Sequence, residues 1–249
     1  MLLKDKVAIV TGAGQGIGAA IAQAYAKEGA KVAVVDMNAK AAAEVAAAIC
    51  QAGGEAKGFA CNVAERASVD KMAAEVTAAW GRVDILVNNA GVMDFFSVLD
   101  DHPLARQVEE IDIDAIGPIR MVHYFLPSLL KREATIINIS SGLAYVPFAK
   151  APVYSAAKAF LHAYTQCLRE QLKATSVRVV ELLPPVVDTP MAAGVPSPIQ
   201  RMPPDVLADA LMEGLRRGKT EIAPGISTPL KWMSRLLPTV AFRQMNKPL

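Results

Sequence analysis

At 249 residues the chain has room for one large α/β domain, and a composition 53% hydrophobic and 20% charged supplies a filled core. A net charge of +2 is too balanced for a protein that binds nucleic acid by neutralising phosphates. Cys50, Cys61 and Cys167 are odd in number and lack ligand spacing, which points to reduced thiols in a cytoplasmic protein rather than a disulfide scaffold or a metal site.

Met1 to Lys6 lead straight into an apolar strand at Val7–Val10, so no secretory leader is expected, and no apolar run is long enough to span a membrane. Thr11 to Gly18 then form a glycine loop with Gly12, Gly14, Gly16 and Gly18. An Ala-rich helix follows to Glu28-Gly29, and a second strand, Lys31–Val35, ends on Asp36. Glycines crowd between strand and helix where backbone must approach a pyrophosphate, and the helix N-terminus offers free N–H groups. An acid about 20 residues after the loop is placed to hold a ribose 2′-hydroxyl. The order strand, loop, helix, strand, acid predicts dinucleotide binding.

Ala39–Gln51 reads as a helix stopped by Gly53-Gly54, Gly58–Cys61 as the third strand, and the stretch to Trp80-Gly81 as a helix. Val83–Val87 has the apolar run of a central strand buried on both faces, with Asn88-Asn89-Ala90-Gly91 at its carboxyl end. A long helix from about Leu104 to Leu130 is interrupted at Gly117-Pro118, because proline removes a hydrogen bond and kinks the axis. Thr135–Ile139 is strand five, Pro152–Leu172 a second long helix, and Val177–Leu183 strand six, broken off by Pro184-Pro185. Residues 186–204, rich in Pro, Gly and Ser, read as a mobile substrate loop. Asp205–Arg217 is a short helix and Thr220–Ala223 the last strand. Repeated βα units predict a Rossmann-type, doubly wound parallel sheet of about seven strands in three αβα layers, spanning residues 1–249 as one domain. Ligands then sit outside the carboxyl ends of the strands.

Tyr154 and Lys158 stand four residues apart on one helix face. A phenol is a poor acid or base at neutral pH, and an adjacent ammonium lowers its pKa toward the working range. Ser141 follows strand five and is placed to hydrogen-bond a substrate oxygen beside Tyr154; Ser140 is the alternative hydroxyl.

Gly12, Gly16 and Gly18 with Ser141, Tyr154 and Lys158 resemble the short-chain dehydrogenase/reductase family over residues 4 to 225. The resemblance implies an NAD-dependent oxidoreductase moving a hydride between nicotinamide and an apolar secondary alcohol or ketone. It makes Tyr154 the acid/base, has Lys158 lower its pKa and bind the nicotinamide ribose, and has Ser141 position the substrate oxygen. It assigns the cofactor to Gly12, Gln15, Gly16, Ile17, Gly18, Asp36, Asn62, Val63, Asn89, Ala90, Gly91, Tyr154, Lys158, Val187 and Thr189. Three places depart from the family pattern: Asn62 where Asp is usual, Pro184-Pro185 where Pro-Gly is usual, and Asp114 where the catalytic Asn is expected. Asp114 adds a negative charge that raises the pKa of Lys158. Within the family, residues 112–191 look closest to the oxidoreductases of D-alanine-esterification operons, while the N-terminal half looks like ordinary members. Gln15 and Met37 stand where NADP-preferring relatives carry a base, so NAD is expected over NADP. The family also implies a homodimer or homotetramer through the two long helices.

A silent dinucleotide-binding sensor or scaffold is the competing reading, since fold does not dictate function. His102, His123 and His162 lack ligand spacing, and no metal is expected. The tail, residues 226–249, holds no acid but four bases, Lys231, Arg235, Arg243 and Lys247. Leu230, Met233 and Leu237 fall at helical spacing before Pro238. Such a helix packs on the domain or a neighbouring subunit, or rests on an anionic membrane surface and admits a lipid-like substrate.

Overall fold

The computed structural model describes residues 2–195 and 200–247. Seven parallel strands form one sheet in the order β3-β2-β1-β4-β5-β6-β7. They are β1 Val7–Thr11, β2 Lys31–Asp36, β3 Glu55–Ala60, β4 Ile85–Asn88, β5 Ala134–Ile139, β6 Val177–Leu182 and β7 Glu221–Ile222. The strand order reverses between β1 and β4, the point where a crevice opens above a doubly wound sheet.

The helices between them are α1 Gly16–Lys27, α2 Ala39–Gln51, α3 Arg66–Trp80, α4 Leu104–Ile111, α5 Gly117–Leu129, α6 Pro152–Leu172 and α7 Pro204–Arg216. α1, α2 and α7 cover one face: Ile21, Tyr25, Ile49 and Leu211 pack on Val10, Val34, Val87 and Val180. α3, α5 and α6 cover the other, where Met72, Val76, Phe125 and Leu168 meet Ile9, Val35, Leu86 and Val179. Alternate residues of each strand thus point into opposite cores, which is why the central strands read as unbroken apolar runs.

Three segments differ from the sequence expectation. The third strand starts at Glu55, not Gly58, because as an edge strand it is mostly exposed, with only Ala56 and Phe59 buried, and lacks a continuous apolar run. The long helix from Leu104 is broken by a π turn at Asp112–Ile116, one turn before the expected break, and Pro118 opens α5 where its missing N–H costs nothing. The tail is two helices, α8 Ser227–Leu236 and α9 Pro238–Met245, separated at Leu237 by Pro238. Leu237 is therefore exposed and leaves the stripe begun by Leu230 and Met233.

The 186–204 loop is tied at its ends, with Val187 bridged to Met202 and a short 3₁₀ helix at Pro190–Gly194. Residues 196–199, the middle of the loop expected to be mobile, lie outside the described residues. No described helix is long and apolar enough to cross a membrane.

Candidate active site

The glycine loop is shaped by contacts that tolerate no side chain. Gly12 and Gly16 have φ of +62° and +56°. A Cβ on Gly18 would lie 2.3 Å from the Gly12 carbonyl oxygen. Gly18 is accordingly buried beneath the loop, whereas Gly12, Gln15, Gly16 and Ile17 line the cleft. Gly14, given no role from the sequence, has one here: its N–H donates to Asp36 Oδ2 at 2.9 Å, and a Cβ there would sit 2.9 Å from that oxygen. Gln15 precedes α1 without capping it, and no acid stands in the helix's first turn. The free N–H groups and positive dipole end therefore face the cleft.

Asn89, in contrast, works on the loop itself. Its Nδ2 donates to the carbonyls of Thr11 at 2.9 Å and Gly12 at 3.1 Å, while the N–H groups of Asn89 and Ala90 donate to Thr11 Oγ1. Asn62 is held by its neighbours, accepting from the Ala64 N–H and donating to Glu65, with Val63 beside it on the cleft wall. Val187 and Thr189 enter the same wall from the segment after β6.

The second half of the cleft is built by α6. Its buried face runs Tyr154, Lys158, Leu161, Thr165, Leu168 and Leu172, the stripe that seats a helix on a sheet. Because the lower positions pack, the first two must face the ends of β4 and β5. A buried ladder fixes that seating: Asn88 Nδ2 donates to Asn138 Oδ1, and Asn138 Nδ2 to Thr165 Oγ1, both at 2.8 Å. Lys158 Nζ donates to the Ile139 carbonyl at 3.2 Å and lies 5.4 Å from the centre of the Tyr154 ring. Ser140 and Ser141 separate cleanly. Ser140 Oγ donates to buried Glu181 at 2.6 Å, a carboxylate also held by His162, and Ser141 is the hydroxyl beside Tyr154.

Asp114 is fully buried against this pair. Its Oδ1 accepts the Val92 N–H at 2.8 Å, and its Oδ2 forms an ion pair with Lys158 Nζ at 3.0 Å. Burial pushes the Asp114 carboxyl up, only partly offset by Lys158 and the Val92 N–H. Burial works against the Lys158 ammonium, yet Asp114 and Tyr154 outweigh it and leave its pKa above the ordinary value, as the sequence predicts. Tyr154 departs from expectation. Burial raises its phenol more than Lys158 and Ser141 lower it, and Asp114 adds to the rise.

Glu110, four residues before Asp114, was not marked by the sequence. It is buried, with Oε1 accepting the Asp94 N–H at 3.2 Å and no partner for Oε2 among the described residues. Burial, with the charges of Asp114 and Asp94, pushes its carboxyl up to about 7 despite the Asp94 N–H and Arg106. The only signal available was its place on the face shared with Asp114.

One cleft of about 1370 Å³ joins the glycine loop and Asp36 to Ser141, Tyr154 and Lys158. The residues present fit a dinucleotide: a cradle that Cβ atoms would fill, an uncapped helix N-terminus, and an acid closing β2. Beyond Tyr154 the wall is apolar and includes a contribution the sequence reading did not assign, Leu230, Met233 and Met245 of α8 and α9. Their place becomes visible only once the tail folds back over the sheet.

The short chain dehydrogenase family model matches residues 6–199, and the chain belongs to the short-chain dehydrogenase/reductase family of oxidoreductases. It is similar to an uncharacterized oxidoreductase of Staphylococcus epidermidis, 36% identical over 77% of this chain and 82% of that one. Among solved structures it resembles the 3-ketoacyl-(acyl-carrier-protein) reductase of Brucella melitensis complexed with NADH (TM-score 0.79, 30% identity, 85% of this chain and 91% of that chain). It also resembles a metagenomic short-chain oxidoreductase in complex with NADP (TM-score 0.75, 33% identity, 86% and 91%).

Proposed function

We propose that this oxidoreductase interconverts an apolar secondary alcohol and its ketone with NAD(H). The observation that carries the reading is the arrival of Ser141, Tyr154 and Lys158 on one wall of the cleft whose other end is the glycine loop and Asp36. When bound, the nicotinamide gives or takes the hydride, and the protein supplies position and one proton. The uncapped start of α1 with Gly12, Gln15, Gly16 and Ile17 would hold the pyrophosphate, and Asp36 the adenosine ribose. Asn62 and Val63 would flank the adenine, with Asn89, Ala90 and Gly91 along the floor. Val187 and Thr189 would meet the nicotinamide side. Asp36 repels a 2′-phosphate, and Gln15 and Met37 beside it on the wall bring no cation to offset this. NAD is therefore preferred over NADP.

Ser141 holds the substrate oxygen beside the Tyr154 hydroxyl. In reduction the phenol gives its proton to the forming alkoxide; in oxidation the phenolate takes it. A phenol held above its ordinary pKa is protonated at neutral pH, which equips the site for reduction there. Lys158 carries the positive charge that steadies the phenolate, and Asp114 anchors that ammonium.

Tyr154→Phe tests the assignment. Turnover of a ketone panel should fall at least about a hundredfold, the usual contribution of a positioned proton donor, with NADH affinity kept. Retained turnover would overturn it.

A further inference from the structure

The cleft extends past the residues that would hold a dinucleotide. Pockets for small ligands are typically about 300–1,000 Å³, and this one measures about 1370 Å³. Beyond Tyr154 its lining continues along the segments after β4 and β5 and the two tail helices. Phe95, Leu143, Phe148, Leu230, Met233 and Met245 line it, a wall without a charge.

Three contacts fix the tail as part of that wall. Lys231 of α8 pairs with Glu221 of β7, whose carboxylate also accepts the Tyr145 hydroxyl at 2.9 Å. Ser227 is fully buried under Gly142, where a Cβ would come within 3.0 Å of its hydroxyl. At the far end Asn246 Oδ1 accepts the Ala149 N–H at 2.6 Å, and its Nδ2 donates to the Pro147 carbonyl at 3.0 Å. The next residue on each side of that joint is a lysine, Lys150 and Lys247, and both line the cleft. Neither residues 141–153 nor residues 226–249 contain an acid, so no carboxylate from either segment neutralises them.

We propose that this arm takes the aliphatic chain of the substrate, that Lys150 and Lys247 hold an anionic group at the chain's end, and that α8 and α9 set the chain length accepted. The substrate is then an amphiphile, an oxo or hydroxy compound with a linear hydrocarbon chain and a carboxylate or phosphate terminus. An apolar wall recognises methylenes only through the area they bury, so selectivity comes from length. Paired ammonium groups at a cleft margin favour an anion and repel a cation. The inference rests on the Tyr154 reading only for which end of the chain reacts; binding in the arm is independent of turnover.

The experiment is titration calorimetry on the NADH-loaded protein with butanoate, octanoate, laurate, lauryl phosphate and neutral dodecan-2-ol. Affinity should rise with chain length by up to about fourfold per methylene, the fold-change equivalent of about 0.8 kcal/mol. The anionic chains should bind at least about tenfold more tightly than the alcohol, a gap that closes in the Lys150→Ala, Lys247→Ala double variant. Laurate against lauryl phosphate distinguishes the two termini. Leu230→Trp and Met233→Trp should weaken laurate at least about tenfold while butanoate and NADH keep their affinities. Affinity independent of chain length, or tryptophan variants that weaken butanoate as much as laurate, would overturn the assignment of the arm. A charge-independent result would overturn the lysine pair. Tyr154→Phe separates this from the catalytic reading, since it should lower turnover at least about a hundredfold and leave laurate binding intact.

Discussion

At the scale of single residues, the site turns on a carboxylate where an amide is usual. Asp114 sits 3.0 Å from Lys158 Nζ without exposure to solvent. Its negative charge raises both Lys158 and Tyr154, so the Lys158 charge is partly spent on its neighbour instead of on the phenol. Asp114→Asn removes that charge and should move the Tyr154 ionisation to lower pH. The pH profile of alcohol oxidation, which needs the phenolate, should then rise at lower pH than in the parent, and that of ketone reduction should fall sooner. An unmoved profile would mean that Asp114 is only a packing group. Asp36 gives a second residue-level expectation. Its Oδ2 is shared with the Gly14 N–H, so Asp36→Ala removes both a ribose acceptor and a support of the loop. The ratio of kcat/KM for NADH over NADPH should narrow by at least about tenfold, chiefly through KM for NADH.

At the scale of elements, the π turn between α4 and α5 decides where Asp114 points. One residue more than an α-helical turn advances the preceding helix by about 100° about its axis. Deleting Ala115 should restore regular helix and turn Asp114 and Glu110 away from α6. A buried lysine left without its partner costs about 3–5 kcal/mol; the urea midpoint should drop accordingly and turnover should be lost while the circular dichroism stays that of an αβ fold. The sequence placed this break at Gly117-Pro118 because a breaker residue is a local signal. The slipped hydrogen-bond register that makes the π turn depends on what the helix packs against and carries no residue signature. The same distinction separates what was readable from what was not. The glycine loop, Asp36 and the α6 stripe are written in short-range spacing, and the structure brings them to one crevice. β3 was read short because a polar edge strand has no apolar run. The partners of Asp114 and the inward side of α8 and α9 are long-range contacts, invisible to periodicity. Gly14 was visible as an extra glycine, but its function required knowing that Asp36 lies across from it.

At the scale of the whole molecule, large apolar side chains remain exposed on α4, α5 and α6 as well as on the tail helices. Leu104, Val108 and Ile111 are exposed on α4 at spacings of one helical face, with Tyr124 exposed on α5, Leu130 just after α5 and Phe160 on α6. The family resemblance places subunit contacts on the two long helical stretches that carry these residues. A dimer or tetramer is the expected state, and Val108→Glu with Ile111→Glu should reduce it to monomer by light scattering at micromolar concentration. A parent protein that is already monomeric would reject the expectation. The sheet offers no alternative route to assembly. β7 is two residues long, and its Glu221 is engaged by Tyr145 and Lys231. β3, at the opposite edge, presents Glu55 and Lys57, with Glu55 held by Lys31 and by the Trp80 indole N–H. A short edge and a charged edge both resist strand addition from another copy. Any association of copies is thereby left to the helices, and the Val108→Glu, Ile111→Glu variant should stay dispersed instead of growing the intermolecular sheets that seed fibrils.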